Sequence, residues 1–413
     1  MITYVKIQLR EYLKTIKLFK ANAKLLLTNV LLRFIGHGIF SLLFNLYILQ
    51  IGYDVDFIGY LTALNNIAIA LIAIPSGFII DRFGFKRPLV ISYSLFILFI
   101  ILLSITTNYF SLIIFNIALG FTFSMIRVIR NPFLTKFSTK VERTHLFGFS
   151  FGLMMIGSVI GNLIGGYFPK LFEVFTSLTD DIIIYRLSLL SGALISAIGL
   201  IPILKIQKDN ITSLNKLSKR TFKMMFSKLY IKLLLPHLLL SLGAGSVMPF
   251  LNIFFKEHLN ANVYQIGIIF ALGSFITGVA SFLTPFVTKR FGKVMGIGIL
   301  QISSLPFLLM IALIPNLTLV AIFFIVRQVL MNIASPIYTA FVMEAVPDEE
   351  KGIASGYILF IWGLAWAISS SYSGILMKNY GYNFPFFICF VFYLISAIIF
   401  IYFFRGSEKK LRT

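Results

Sequence analysis

Apolar residues run along this chain in long blocks, not in the alternating pattern of half-buried strands, and short clusters of charge, Gly, Pro and Asn cut the blocks. Taking those clusters as breaks predicts helices at approximately 25–51, 57–80, 88–106, 109–134, 146–169, 182–204, 229–255, 263–288, 294–313, 317–344, 352–377 and 383–404. Each is long enough to cross a bilayer, which takes about 20 apolar residues. A membrane barrel would need strands of about ten residues with alternating polarity, and runs such as Leu95 to Leu103 and Leu317 to Val326 speak against one.

The charged residues between the blocks fix an expected orientation. With the N-terminus inside, the inner loops hold Arg82, Lys86 and Arg87, then Lys136, Lys140 and Arg143, then a basic run from Lys205 to Lys228, then Lys289, Arg290 and Lys293, and Lys351. The outer loops hold only Lys170, Arg186, Lys256 and Lys378. This is the positive-inside pattern, and it places both termini in the cytoplasm of a cell whose cytoplasmic (inner) membrane holds the chain. The domain reading follows: an N-terminal tail (1–24), six helices (25–204), a basic linker (205–228), six more helices (229–404) and a C-terminal tail (405–413).

Composition removes most other classes. Hydrophobic residues make up 58% of the 413 positions and charged ones 12%, with a mean hydropathy of +0.93. Soluble domains carry about 25% charge, so a soluble enzyme is excluded, as is a disordered chain. The net charge of +21 is spread over loops flanking the spans, which topology explains without a nucleic-acid partner. The single cysteine, Cys389, allows no internal disulfide, and the basic N-terminus leads into a full-length span with no cleavage pattern. The histidines His37, His145, His237 and His258 are scattered, no phosphate loop or nucleophile elbow is present, and neither a metal site nor a cofactor is expected.

The two halves repeat. At an offset of 208 residues, Ile58-Gly59 falls on Ile266-Gly267, Arg82-Phe83-Gly84 on Arg290-Phe291-Gly292, Glu142 on Glu350 and Gly148 on Gly356. Matches at equivalent helix ends imply two six-helix halves related by an axis along the membrane normal. The loop after the second span, Gly77 to Arg87 with Asp81-Arg82, Gly84, Lys86 and Arg87, resembles the motif A signature of the major facilitator superfamily. Its second copy, Thr284 to Lys293, keeps Arg290 and Gly292 but carries Lys289 where the first half has Asp81, and Val346 to Gly356 is similar to the family's entry into helix 11. The resemblance implies an all-α integral membrane protein of twelve transmembrane helices in two pseudo-symmetric six-helix bundles. It further implies a midplane site lined by helices 1, 4, 7 and 10, alternating access and a functional monomer.

A carboxylate at the cytoplasmic end of the second span can meet the positive N-terminus of a helix in the other half, stabilising closure by up to about 1–2 kcal/mol. Asp81 is the candidate, facing Lys351, and pseudo-symmetry pairs Lys289 with Glu142. The alternative is a set of solvated loop charges that contribute about nothing.

Polar groups at membrane depth are the candidates for solute contact, because they are costly there. Asn29, Arg33, His37, Ser41 and Asn45 recur every four residues in the first span, and the middle three share a face. Arg33 and Arg327 are the preferred solute-side cations, with snorkelling to the cytoplasmic face as the other reading of Arg33. Arg127 and Arg130 lean towards a structural role. Gln328, Asn332, Tyr338, Tyr357, Asn65, Asn66 and Asn252 offer neutral hydrogen bonds, and Trp362 and Trp366 either form a flat wall for a ring-containing solute or pack between helices. None of the 15 acidic residues falls in the middle of a span. That disfavours organic cations and favours an anionic or neutral small organic solute, with export of drugs or lipid amphiphiles as the alternative and a non-transporting sensor behind it. A coupling ion, proton or sodium, stays open; His37 is the titratable group for a proton, although helix packing is its commoner use. Gly36, Gly38, Gly157, Gly161, Gly165, Gly243 and Gly245 read as packing residues.

Overall fold

A computed structural model describes residues 19–176, 180–207, 227–347 and 350–406. Those residues form twelve helices long and apolar enough to cross a membrane. They are α1 (Ala21–Gln50), α2 (Val55–Phe83), α3 (Lys86–Ile105), α4 (Tyr109–Lys136), α5 (Lys140–Thr176) and α6 (Asp181–Lys205) in the first half. The second half holds α7 (Lys228–His258), α8 (Val263–Ala280, continued by Thr284–Phe291), α9 (Lys293–Leu313), α10 (Leu317–Ala345), α11 (Lys351–Tyr380) and α12 (Phe384–Phe404). No strand occurs among the described residues. Most of the linker and of both tails of the sequence reading lies outside them.

Local chemistry sets several helix ends. Asn108, Asp180, Asn262 and Asn316 accept from first-turn N–H groups at the starts of α4, α6, α8 and α10, and Asn262 with Gln265 completes a capping box. All four caps lie on the face opposite the termini. On the terminal face, Gly84 and Gly292 end α2 and α8 with φ of 73° and 78°, a conformation that a Cβ opposes. These are the two glycines of the repeated loop, 208 positions apart.

Within lipid, helices associate by close contact between small residues. In the first half Gly38 of α1 sits against Gly161 of α5, where an added Cβ would lie 3.0 Å from the Gly161 Cα. Between the halves, the packing is two-fold symmetric. A Cβ added at Gly59 of α2 would lie 2.6 Å from the Ser370 carbonyl of α11, and one at Gly267 of α8 would lie 2.6 Å from the Asn162 carbonyl of α5. Gly374 and Gly166 occupy the facing positions of the two contacts, 208 residues apart like Gly59 and Gly267.

Near the opposite face α7 departs from a regular helix. Pro249 interrupts α7, which passes through a 3₁₀ turn at Met248–Phe250 and a π turn at Phe254–His258. The Ile253 N–H, the regular helical donor to residue 249, donates to Asn252 Oδ1 at 3.0 Å, and the Pro249 carbonyl accepts from Asn45 of α1.

Candidate functional site

The halves touch on the face opposite the termini. Besides the glycine contacts, Lys378 of α11 donates to Asp54 at 2.6 Å and to Asp56 at 3.3 Å beside the start of α2, and Lys256 of α7 donates to the Tyr185 hydroxyl of α6 at 3.1 Å. Beside these contacts is a reciprocal pair of amides joining α1 to α7. Asn45 Nδ2 donates to the Pro249 carbonyl at 2.7 Å and to Asn252 Oδ1 at 3.2 Å, while Asn252 Nδ2 donates to the Leu42 carbonyl at 2.9 Å. Each asparagine thus reaches the carbonyl three residues before its partner. On the terminal side the contacts fall away: a Cβ added at Gly152 of α5 or Gly356 of α11 would meet nothing within 4 Å. Arg127 on α4 and Asn332, Ser335 and Thr339 on α10 are exposed there.

Two cavities lie between these limits. The larger, about 380 Å³, is bounded by α1, α2, α3, α4, α7 and α8 and includes His37, Ser41, Asn45, Asn65, Asn116 and Asn252 in its wall. The asparagine pair and Met248 close it towards the opposite face. The smaller, about 230 Å³, lies between α2, α4 and α11 and meets Asn66, Phe123, Arg127, Trp362, Gly363 and Trp366. Ile69 and Phe123 belong to both walls, so the cavities adjoin. Together they fall in the size range of small-molecule sites, about 300–1,000 Å³.

The sequence-predicted residues separate into distinct environments. His37 stacks on Phe123 with ring centroids 5.8 Å apart, in the wall of the larger cavity. Asn65 also lines that cavity, but its amide N–H donates to the Asn116 carbonyl at 2.8 Å and ties α2 to α4. Arg33, 3% exposed, lines neither cavity; its guanidinium sits 4.9 Å from the Phe34 ring centroid and its Nε has no hydrogen-bond partner. Arg327, 2% exposed, is likewise off both walls, donating to the Tyr393 hydroxyl at 3.1 Å and to the Met248 sulfur at 3.6 Å. Gln328 packs against Gly273 of α8, and Asn332 Nδ2 donates back to the Gln328 carbonyl at 2.8 Å. Arg130 turns to the Met154 sulfur and to Asn131. Trp362 and Trp366 both face the smaller cavity, with centroids 5.2 Å apart.

Behind those tryptophans the structure joins two residues that the sequence offers separately, the scattered His237 and the candidate Tyr338. His237 of α7 stacks on Tyr338 of α10 at 5.0 Å with an interplanar angle of 4°, and lies 5.7 Å from Trp362. Three different helices, α7, α10 and α11, build this column, so no spacing within one helix announces it. Asn116 was missed, although its polarity in the middle of an apolar span is the kind of signal that singled out Asn65.

At the terminal face, Arg82, Arg87, Lys289 and Arg290 are exposed and Lys86 is half-buried. Arg82 and Arg290 lie over Phe83 and Phe291 at 5.3 and 5.7 Å, matching contacts in the two halves. The side chains of Asp81, Glu142 and Lys351, and the surroundings of Gly77, lie outside the described residues. Lys293 at the start of α9 pairs with Glu344 near the end of α10.

The Major Facilitator Superfamily model matches residues 26–369 and, in a second match, 233–413. The chain belongs to the Major Facilitator Superfamily. It is therefore a multi-pass membrane transporter of that superfamily, and the two overlapping matches accord with its internal repeat. Among solved structures it is similar to a nucleoside transporter, NupG, at 15% identity and a TM-score of 0.76, over 93% of this chain and 99% of that one. It is also similar to a bacterial homolog of the human lysosomal transporter Spinster, in an inward-facing and occupied conformation, at 14% identity and a TM-score of 0.73, over 94% and 96%. At these identities the likeness concerns the superfamily fold. No curated protein matches the sequence.

Proposed function

We propose that this superfamily member is a secondary active transporter that moves a small organic solute, anionic or neutral, across the cytoplasmic membrane by alternating access. The observation that carries this reading is the pair of adjoining cavities between the halves, closed on one face by symmetric contacts and edged with amides, aromatic rings and an exposed arginine. No described carboxylate lines either cavity, which suits an anion or a neutral solute better than a cation. The basic loops favour termini in the cytoplasm, so the conformation here corresponds to one open inward. His37, in the wall of the larger cavity, is the group through which a proton would couple. A monomer suffices, because both halves of the site come from one chain.

Reconstitution into lipid vesicles tests the proposal. Saturable uptake of a labelled water-soluble acid or neutral ring compound, accelerated by a proton or sodium gradient, is the expected result. Movement of fluorescent lipid or cationic dye alone would overturn it and establish an amphiphile exporter.

A further inference from the structure

We infer that the smaller cavity is a recognition site for a planar aromatic acid, whose ring lies against Trp362 and Trp366 and whose carboxylate pairs with Arg127. The inference deepens the transport reading and rests on it for the solute's route, but the binding step stands by itself.

The aromatic side of the site is built and held. Trp362 and Trp366 sit 5.2 Å apart at an interplanar angle of 33°, and Trp362 is backed by the His237 and Tyr338 stack. Gly245 of α7 lets Trp366 come close, since a Cβ there would lie 2.9 Å from the Trp366 Cα. Phe123 stands on the same cavity wall. A flat ring inserted here gains offset or edge contacts with these faces.

The polar side is unspent. Arg127 is exposed and makes no hydrogen bond or ion pair within the described residues. Arg33 and Arg130 lie within electrostatic range and add positive potential, with no described carboxylate in the cavity wall to neutralise it. A guanidinium fork matches a carboxylate in two parallel hydrogen bonds, whereas a neutral amide offers a weaker acceptor. A ring wall and an unpaired guanidinium in one cavity therefore select a ring that carries an acid.

Trp362 and Trp366 are the chain's only tryptophans, so tryptophan emission reports this site alone. In the detergent-solubilised full chain, benzoate should change that emission saturably, with an affinity at least about tenfold above those of benzamide and cyclohexanecarboxylate. Arg127→Gln should bring benzoate down to the benzamide level. Equal affinities for benzoate and benzamide in the unmodified protein would overturn the charge requirement without relying on any variant. Equal binding of cyclohexanecarboxylate would overturn the ring requirement, and an emission unmoved by all three would overturn the site. The transport reading fails separately: if benzoate binds as described yet crosses no vesicle in which the protein is reconstituted, the site stands and its transport does not. If labelled solutes cross while leaving the emission unchanged, transport stands and the site falls.

Discussion

Removing the amide pair that joins α1 to α7 should release the closed face by a calculable amount. Asn45 and Asn252 make three hydrogen bonds between the halves, of 2.7, 3.2 and 2.9 Å. Interhelical hydrogen bonds in membranes average about 0.6 kcal/mol, because the separated state finds other partners. Asn45→Ala deletes two of the three and Asn252→Ala also deletes two, so each should weaken closure by about 1.2 kcal/mol, about an eightfold shift towards opening. The double variant deletes all three, about 1.8 kcal/mol and about twentyfold, less than the product of the singles because one bond is shared. Ser370 is fully buried where α11 meets α2, so a cysteine there reports the opening. In a Cys389→Ala background, the modification rate of Ser370→Cys by an impermeant thiol reagent, applied from the face opposite the termini, should rise by those factors. Rates within twofold of the parent, or a double variant equal to the product of the singles, would refute the reasoning.

The two-fold glycine contacts predict paired behaviour: Gly59→Ala and Gly267→Ala should each raise the same labelling rate to a similar extent, since both place a Cβ 2.6 Å from a carbonyl, while Gly152→Ala, with nothing within 4 Å, should leave it unchanged. Arg327 predicts a stability effect. Tyr393→Phe removes the hydroxyl 3.1 Å from its guanidinium and should cost about 1–3 kcal/mol, read as a lower thermal unfolding temperature in detergent; adding Arg327→Met should restore much of it, because the uncompensated charge goes too. An unfolding temperature unmoved by Tyr393→Phe would count against the pairing.

Much of this architecture was legible before any coordinates, and the reason is physical. In a bilayer, each backbone polar group must be satisfied within its own helix, so hydropathy alone sets the number and length of spans. The predicted span 109–134 differs from α4, Tyr109–Lys136, by two residues at one end. The span 146–169 fell short of α5, Lys140–Thr176, because its charged first turn and Pro169 read as breaks when they only extend the helix past the apolar core. Rotational phase was harder. Arg33, His37 and Ser41 share a face by periodicity, yet His37 and Ser41 line the larger cavity while Arg33 is buried against Phe34 and Phe123, since neighbouring helices decide where a stripe's edge falls. Arg127, read as leaning towards structure from its depth, is the exposed member of its cluster, and only the cavity left between α4, α2 and α11 tells it apart from Arg130.

The distribution of chemistry between the halves has its own logic. At the closing face the helix contacts repeat: Gly59 with Gly374 against Gly267 with Gly166 at the 208-residue offset, and Asn45 against Asn252 at 207. On the proposed mechanism, two bundles rocking about a shared axis need similar contacts on both sides of it, and backbone approach plus amide bonds supply them, with the Lys378 pair to Asp54 and Asp56 added on one side only. Around the cavities the repeat is abandoned. Arg127 corresponds at the 208-residue offset to Ser335, Trp362 to Met154 and His37 to Gly245, so each recognition group has a partner position that carries something else. A small solute has no two-fold symmetry of its own, and a site matching a ring at one end and an acid at the other cannot have it either. On the proposed reading, helix-contact symmetry is kept where the halves separate and lost where the solute is held, and the specificity of this transporter would then lie in its unrepeated residues.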